Sequence, residues 1–212
     1  MENNRYKNIP HKTIERLSLY RRALHICSRK GKTYIFSHEI ASLLHITAVQ
    51  VRRDLMLIGY SGSLRKGYNI NDLVSLIGEL IDSPKGQKVA VFGMGNLGRA
   101  LINYFQGKRE KLKITAGFDT NPEKIGRQIA GINCYPVDKT AEIIGKENIK
   151  IGILTVPGDQ ADETVRIMVE AGIKGILNYT PTPVEVSDDV YLEEYNMITS
   201  LEKVAFYVKE KG

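Results

Sequence analysis

The sequence predicts an α/β protein in which a helical N-terminal domain is followed by a parallel-sheet domain and a final helix. Two observations predict this division. Residues 1–84 carry 13 Lys and Arg against 7 Asp and Glu, whereas residues 85–212 carry 17 of each. Near Ser83-Pro84-Lys85-Gly86 the hydrophobic pattern changes from helical spacing to short apolar runs separated by helical stretches, which indicates parallel strands with crossover helices. The predicted parts are 1–82, 86–195 and 196–212.

Composition and cysteine content exclude several classes of protein. With 42% hydrophobic and 25% charged residues, the chain is neither collagen-like nor wholly disordered. The polar start, MENNRYKNIPHK, is not a signal peptide, and no apolar run approaches the roughly 18–20 residues of a bilayer span. Cys27 and Cys134 give neither a disulfide framework nor metal-ligand spacing. We therefore expect a cytoplasmic protein with no membrane or metal partner.

The N-terminal domain is predicted to contain three helices. The first runs from about Thr13 to Arg29 and has one apolar face. The second starts with Ser37 as its N-cap. The third starts at Thr47, where Thr47-Ala48-Val49-Gln50 has the form of a capping box. The buried stripe of the third helix is predicted to be Val51, Leu55 and Ile58.

The last two of these helices, joined at His45-Ile46, have the pattern of a helix-turn-helix. In that geometry the first residues of the second helix reach base edges in the major groove, and arginines also contact phosphates. The pattern leaves Gln50, Arg52 and Arg53 exposed, and Arg65-Lys66 lie in a glycine-rich turn that suits a DNA-contacting wing. The basic domain therefore predicts binding to double-stranded DNA. A generic helical domain with solvated arginines is the alternative.

The second domain opens with a dinucleotide-binding motif. A predicted strand ending at Phe92 runs directly into Gly93-Met94-Gly95-Asn96-Leu97-Gly98, which opens a helix. In this context the glycines permit a tight turn, close approach of the pyrophosphate and close helix–strand packing. Asp119 ends the next strand, where a carboxylate accepts the ribose hydroxyls of adenosine and disfavours a 2′-phosphate. We therefore expect NAD(H) rather than NADP(H), with a solvated turn residue as the alternative for Asp119.

The positions of the acid–base residues argue against an enzyme. An oxidoreductase usually places a His, Lys or Tyr beside the nicotinamide, yet all four histidines precede residue 50. There is also no Walker motif and no Cys/His cluster in the sequence. The dinucleotide is therefore interpreted as a signal, and the protein is predicted to have no catalytic residues. Two alternatives stay open: an NAD-dependent oxidoreductase with a basic helical extension, and a regulator that binds another nucleotide such as coenzyme A.

Short motifs in a fixed order cover nearly the whole chain. They are Ile9-Pro10, Arg16-Leu17-Ser18-Leu19-Tyr20, Gln50-Val51-Arg52-Arg53-Asp54-Leu55, Gly67-Tyr68-Asn69, Gly93–Gly98, Phe118-Asp119, Lys124-Ile125-Gly126, Leu154-Thr155-Val156-Pro157 and Gly172–Asn178. Together they resemble the redox-sensing transcriptional repressor Rex family. The resemblance implies a winged-helix domain, a Rossmann domain and a homodimeric repressor. Such a repressor binds palindromic operator DNA when NADH is low and releases it when NADH binds.

The motifs and the resemblance give two sets of candidate site residues. The candidates for NAD(H) are Gly93, Met94, Gly95, Asn96, Leu97, Gly98, Tyr104, Asp119, Thr155, Val156, Pro157 and Asn178. The candidates for DNA are Arg16, Thr47, Gln50, Arg52, Arg53, Arg65 and Lys66.

Some positions gain a particular meaning from the resemblance. Ser63-Leu64 stand where wings of the family usually carry a Lys-Arg-Gly or similar run, and Arg65-Lys66 follow two positions later. Asn196 stands where many members have an aspartate that interacts near the cofactor and the partner's DNA-binding half. Tyr104 matches a family tyrosine close to the nicotinamide, with a core aromatic as the alternative. The apolar last helix is implied to cross to the other subunit.

Overall fold

The computed structural model describes residues 9–210. Residues 1–8 and 211–212, which belong to the first and last predicted parts, lie outside the described residues. The described chain divides into two compact units, with the boundary between Pro84 and Lys85. Each unit has its own hydrophobic core, so the two are described separately.

The first unit is a small helical domain with a two-stranded antiparallel sheet. Its elements are α1 (His11–Arg29), β1 (Tyr34–Ile35), α2 (Ser37–Leu44), α3 (Ala48–Leu57), β2 (Tyr68–Asn69) and α4 (Ile70–Ile81). Apolar residues at helical spacing meet in one core, and its fully buried members include Leu17, Leu24, Ile40, Leu55 and Ile77. After α3, the backbones of Ser63 and Gly67 exchange two hydrogen bonds of 2.8 Å, which closes a turn that we call the wing (residues 61–67). The predicted winged helix-turn-helix fold is confirmed.

The start of α2 differs from the prediction by one residue. Phe36 occupies the N-cap position and Ser37 is the first helical residue. Because Phe36 has no side-chain oxygen, it cannot cap the helix with its side chain. The N-terminus of α2 is stabilised by Glu39 instead, whose Oε2 accepts a hydrogen bond from the Phe36 amide at 2.9 Å. The Ser37 hydroxyl instead accepts a hydrogen bond of 3.1 Å from Arg52 Nη1 of α3. The predicted Ser37 N-cap is therefore wrong, because Ser37 already lies within the helix and its hydroxyl contacts α3.

The start of α3 agrees with the prediction in one of two respects. Thr47 is the N-cap, and its Oγ1 accepts a hydrogen bond from the Gln50 amide at 3.1 Å. A capping box would also return the Gln50 side chain to the Thr47 amide. That side chain instead donates to Asp54 Oδ1 at 2.9 Å. The Thr47 cap is therefore confirmed, whereas the side-chain amide of Gln50 binds the buried Asp54 instead of completing a capping box.

A buried carboxylate holds α3 against α1. Asp54 is 2% exposed and accepts hydrogen bonds from Arg16 Nε and Nη2 at 2.6 and 2.7 Å and from the Tyr20 hydroxyl at 2.6 Å. Burial by itself raises the pKa of Asp54, but the hydrogen bonds from Arg16, Tyr20 and Gln50 outweigh it and the pKa is lowered. The carboxylate is therefore charged, and it fixes the orientation of α3 on the domain.

The second unit is a doubly wound α/β domain. Its elements are β3 (Gln87–Phe92), α5 (Asn96–Phe105), β4 (Leu112–Asp119), β5 (Gln128–Ile129), β6 (Ile132–Pro136), α6 (Thr140–Glu147), β7 (Ile151–Leu154), α7 (Ala161–Glu170), β8 (Gly175–Asn178), β9 (Tyr191–Glu194) and α8 (Met197–Lys209). The strand order is β5-β6-β4-β3-β7-β8-β9, and every pair is parallel except the edge pair β5–β6. The six parallel strands thus follow the 3-2-1-4-5-6 order of a Rossmann fold. The predicted parallel sheet is confirmed.

Helices pack on both faces of the sheet, with α6 and α7 on one face and α5 on the other. Side chains alternate along β3, so Ala90 and Phe92 pack with residues of α6 and α7. Val89 and Val91 face the other way and pack with Ile102 of α5. Every residue of α8 is exposed, so this helix covers neither face of its own sheet. None of the described helices combines the length and apolarity that a membrane span needs.

We predict that Asp54→Ala lowers the free energy of unfolding by about 2–4 kcal/mol. The change leaves Arg16 and Tyr20 without their buried acceptor, and the expected loss lies below the roughly 3–5 kcal/mol of a fully buried pair because Arg16 retains some exposure. Urea unfolding of the full chain followed by far-UV circular dichroism measures it. Glu142→Ala, which removes an exposed ion pair with Lys139, is the control and should leave the unfolding midpoint unchanged.

The same interaction predicts the pH dependence of this loss. A carboxylate whose folded pKa is lowered stabilises the fold above its ordinary pKa, here 3.8, and this contribution is lost as the pH falls through the lower folded pKa. The difference in stability between the parent and Asp54→Ala should therefore be full at pH 6 and shrink below pH 3.8. An unfolding midpoint equal to that of the parent at pH 6 would contradict the role given to Asp54.

Candidate functional site

The turn between β3 and α5 is shaped by very close backbone contacts. Gly93 has φ of +96°, and a Cβ there would lie 2.7 Å from the carbonyl oxygen of Thr155. A Cβ on Gly98 would overlap the carbonyl oxygen of Gly93. A side chain at Gly95, in contrast, would meet no atom within 4 Å. The turn is therefore packed against its own domain at Gly93 and Gly98 and open to a ligand at Gly95.

A cavity of about 720 Å³ adjoins this turn at the carboxyl ends of the strands. Parallel α/β sheets bind nucleotides at this edge, where the strand order reverses. Gly95 is the N-cap of α5 and offers no side chain to its first turn, so the helix presents amide groups and its positive dipole end to a phosphate. Six predicted residues line the cavity: Gly93, Gly95, Asp119, Thr155, Val156 and Pro157.

Asp119 lies at the end of β4 and is 8% exposed. Its Oδ2 accepts hydrogen bonds of 2.8 Å from the Met94 amide and from Lys124 Nζ, and its Oδ1 accepts one of 2.8 Å from the Asn121 amide. Burial raises the pKa of Asp119, but these hydrogen bonds outweigh it and the pKa is lowered. A charged acceptor thus lies beside the glycine turn, and the alternative of a solvated turn residue is wrong.

Several predicted cofactor residues also determine the shape of the glycine turn and of the first turn of α5. Thr155 Oγ1 donates to the Gly93 carbonyl at 2.8 Å, which ties the turn to β7. The Met94 side chain is buried against Gly117, so Met94 offers its backbone. Asn96 is exposed on the first turn of α5, where its Oδ1 accepts a hydrogen bond of 3.4 Å from Arg99, and Leu97 follows it half-buried.

Tyr104 and Asn178 are not among the residues that line this cavity. Tyr104 is 55% exposed, and the Lys108 ammonium lies 3.1 Å from its ring centroid, so the alternative of a core aromatic is wrong. Asn178 is buried; its Nδ2 donates to the Thr182 carbonyl at 2.9 Å and its Oδ1 accepts from the Thr180 amide at 2.8 Å. Asn178 therefore holds the loop after β8, and its contact with a cofactor stays a prediction.

Lys124 is a cavity residue that the sequence reasoning did not single out. It lies within the Lys124-Ile125-Gly126 motif, and its ammonium pairs with Asp119 at 2.8 Å. The turn that begins at Asn121-Pro122 brings it back toward the strand end, where it lines the cavity. The motif itself was the available signal, but only the fold shows which carboxylate the lysine contacts.

The predicted DNA-binding residues fall into two sets: exposed cations, and residues whose side chains are hydrogen-bonded within the domain (the engaged group). Arg52, Arg53, Arg65 and Lys66 are exposed, and Arg52 also donates to Ser37 as described above. In the wing, the Ser63 hydroxyl accepts hydrogen bonds from the amides of Arg65 and Lys66 at 3.2 and 3.3 Å. This short turn therefore presents its two cations on a defined backbone.

The engaged group comprises Arg16, Gln50 and Thr47. The guanidinium of Arg16 is held by Asp54, and its side chain is 22% exposed. The amide group of Gln50 is held by the same carboxylate, and the Thr47 hydroxyl caps α3. The bond to Asp54 uses one of the two Nε2 hydrogens of Gln50, which leaves its Oε1 and its other hydrogen for a base. The described residues include no group of three or more His, Cys, Asp or Glu placed to hold a metal ion.

The last helix is capped but has no partner within the described chain. Asn196 Oδ1 accepts a hydrogen bond from the Thr199 amide at 3.0 Å and caps α8. The large apolar residues of α8 are all half exposed or more: Met197, Ile198, Leu201, Val204, Phe206, Tyr207 and Val208. Exposed apolar surface of this kind marks an interaction site.

Two family models match the chain, one in each unit. A "Putative DNA-binding protein N-terminus" matches residues 8–55, and a "CoA binding domain" matches residues 84–182. The first match contains most of α3, and the second contains the glycine turn and Asp119. These matches describe the halves of the chain separately.

Full-length relatives connect the two halves. The chain is 34% identical over 210 residues, 99% of each protein, to the redox-sensing transcriptional repressor Rex of Anoxybacillus flavithermus. It is similar to the structure of RSP, a Rex-family repressor, in complex with β-NAD⁺ and operator DNA (TM-score 0.88, 32% identity, 96% of this chain and 94% of that chain). It is also similar to RSP in complex with β-NADH (TM-score 0.86, 31% identity, 97% and 96%). With both units matched in order by one repressor, this chain belongs to the redox-sensing transcriptional repressor Rex family.

Proposed function

We propose that this chain is a transcriptional repressor that senses the ratio of NADH to NAD, binding palindromic operator DNA when NADH is low and releasing it when NADH binds. The observation that carries the proposal is the coexistence, on one chain, of a winged helix with exposed cations and a Rossmann cavity whose glycine turn is open at Gly95. The Rex relatives are repressors, and this chain is accordingly a regulator rather than an enzyme.

The shape and charge of the cavity support a dinucleotide as the ligand. The open turn at Gly95 and the first amides of α5 would bind the pyrophosphate, and Asp119 would accept the adenosine ribose hydroxyls. Val156 and Pro157 follow β7 and would contact the nicotinamide half, and Tyr104 and Asn178 keep their proposed roles toward the same half. NADH supplies a redox signal to this site and no reaction is assigned to the chain.

Coenzyme A is the second candidate ligand because of the "CoA binding domain" match over residues 84–182. It shares the ADP moiety with NADH and would use the same glycine turn. The solved relatives favour NAD(H), since RSP forms complexes with β-NAD⁺ and with β-NADH. A titration that includes coenzyme A distinguishes the two.

On the DNA side, the exposed cations are assigned to phosphate and groove contacts. Arg52 and Arg53 lie on α3, the recognition helix, and Arg65 and Lys66 lie in the wing. We assign Arg53 to the recognition surface first, because Arg52 also serves the contact with Ser37. Arg16, Thr47 and Gln50 would support this surface by holding α3 in place, and each keeps its proposed DNA role as a secondary contact.

A homodimer joined through α8 would connect the two functions. The exposed apolar face of α8 needs burial, and a second copy of this chain would supply it by exchange of the helix. Two recognition helices then read a palindrome only at a spacing of about one DNA turn or a multiple of it. NADH would favour an arrangement of the dimer that does not match this spacing, so that the affinities for DNA and NADH are reciprocally coupled.

We place this repressor in the cytoplasm, where DNA and NADH meet.

The first prediction tests the function directly. Affinity for a palindromic operator should fall at least about tenfold when NADH is saturating and much less with NAD⁺, because coupling free energies between sites are typically about 1–3 kcal/mol. Fluorescence anisotropy of labelled operator at one salt concentration measures it. Coenzyme A at the same concentration is the comparison. If coenzyme A releases the operator and NADH does not, coenzyme A is the ligand in place of NADH. If the protein does not bind the operator at all, the repressor assignment is refuted.

The second prediction concerns the DNA contacts. Arg53→Ala and Arg65→Ala should each lower the magnitude of the salt slope of operator binding by about 1 if the arginine contacts a phosphate. A base contact would instead cost about 1–3 kcal/mol and relax specificity at one position. Arg166→Ala is the matched control, since this exposed arginine lies on α7 of the other unit and pairs with Glu163 and Glu170. Parent-like binding of both variants would show that α3 and the wing are misassigned.

The third prediction concerns the dimer. Leu201→Asp places a charge in the apolar face of α8 and should convert a dimer to a monomer, because a buried unpaired charge costs more than the contact gains. Sedimentation velocity measures the mass in solution. Lys203→Asp changes a polar position of the same helix and should leave the dimer intact. If Leu201→Asp keeps the mass of the parent, α8 is not the dimer contact.

A further inference from the structure

A second cavity, of about 350 Å³, lies beside Asp119 and is rich in cations. Its lining includes Arg99 from α5 and Lys124 and Arg127 from the turn after β4, with Glu123 as the acidic member. Lys124 lines this cavity and the larger one. The two cavities therefore adjoin at the Asp119–Lys124 ion pair, the place assigned above to the adenosine ribose.

The charge of Asp119 is compensated where it lies. Lys124 Nζ is 2.8 Å from Oδ2, and the Met94 and Asn121 amides donate to the same carboxylate. A carboxylate paired with an ammonium repels a nearby phosphate less than an isolated one does. Discrimination against a ribose phosphate thus depends on the lysine as well as on the aspartate.

The chemistry of the cations suits a phosphate. An ammonium has three donors, so Lys124 keeps donors beyond the one given to Asp119. The guanidinium group of arginine matches the oxygens of a phosphate. Arg127 is exposed, and Arg99 donates a long hydrogen bond of 3.4 Å to Asn96. The Arg127 amide donates to the Lys124 carbonyl at 3.1 Å, which holds the two cations within one tight turn.

We propose that Lys124 is a second determinant of nucleotide choice and that, with Arg99 and Arg127, it forms a subsite for a phosphate on the adenosine ribose. The proposal rests on the proposed binding of NAD(H) at the adjoining cavity. In the parent, Asp119 holds Lys124 and NADH is preferred over NADPH. Removal of Asp119 releases Lys124 to the phosphate, whereas removal of Lys124 leaves Asp119 uncompensated.

Isothermal titration of the full chain with NADH and NADPH tests this assignment. Lys124→Gln and Arg127→Gln should each raise the ratio of the NADPH to the NADH dissociation constant by about threefold or more, as expected for loss of a partly exposed charged contact. Asp119→Ala should weaken NADH binding and lower the ratio by about tenfold. In the double variant Asp119→Ala with Lys124→Gln, the ratio of the two dissociation constants should rise back toward the parent value. Lys113→Gln, an exposed lysine on β4 outside both cavities, is the control and should keep the parent ratio.

Three smaller probes identify the phosphate position. The Lys124→Gln change should weaken the binding of 2′,5′-ADP or 3′,5′-ADP more than the binding of 5′-ADP. A larger effect on 2′,5′-ADP shows that the subsite suits NADPH, and a larger effect on 3′,5′-ADP shows that it suits coenzyme A. Unchanged ratios in both Lys124→Gln and Arg127→Gln, with NADH still bound, would overturn the subsite and leave the proposed function standing. A parent protein that binds neither NADH nor 5′-ADP would overturn both.

Discussion

The close approach of backbone at the turn between β3 and α5 constrains the edge of the sheet that carries the candidate site. Gly93 and Gly98 lie so near the Thr155 carbonyl and each other that no side chain fits at either position. This contact fixes the start of α5 relative to β7, and the Thr155 hydroxyl strengthens it. The adjacent Met94 amide is thereby directed to Asp119. One packing constraint therefore sets the positions of the open turn, the N-terminus of α5 and the Asp119 carboxylate.

The two units use the same electrostatic device at their functional elements. In the first, Asp54 is buried, charged and paired with Arg16, and it orients the recognition helix. In the second, Asp119 is buried, charged and paired with Lys124, and it lies at the end of β4. A buried carboxylate is costly without partners, and each has three or more donors. Each acid is therefore positioned by its partners, and any account of its function must include the cation.

The contacts that the sequence could predict are the local ones. The glycine spacing and the end of a strand at Asp119 follow from chain-neighbour rules, as does the Thr47 cap, three residues from the amide it accepts. The contact between Arg16 and Asp54 spans 38 positions, and nothing near either residue indicates it. The two-residue strand β5 and the largely polar edge strand β9 lack the apolar run that marks a buried strand. Ser37 was misassigned for the same reason, since its partner is Arg52, 15 positions away.

The exposed last helix is the part of the chain that the proposed homodimer would bury. A helix of 13 residues is marginal in water on its own, since nucleation is costly and most helical stability in proteins comes from packing of an apolar face. Every residue of α8 is exposed on its own chain, although Asn196 caps its start. Packing against a second copy of the chain would supply that stability, and the proposed palindromic operator would require the same second copy. In the proposed dimer, the helix that completes the fold would also set the distance between two recognition helices, so a ligand that shifts the dimer would act on DNA binding without touching the DNA-binding surface.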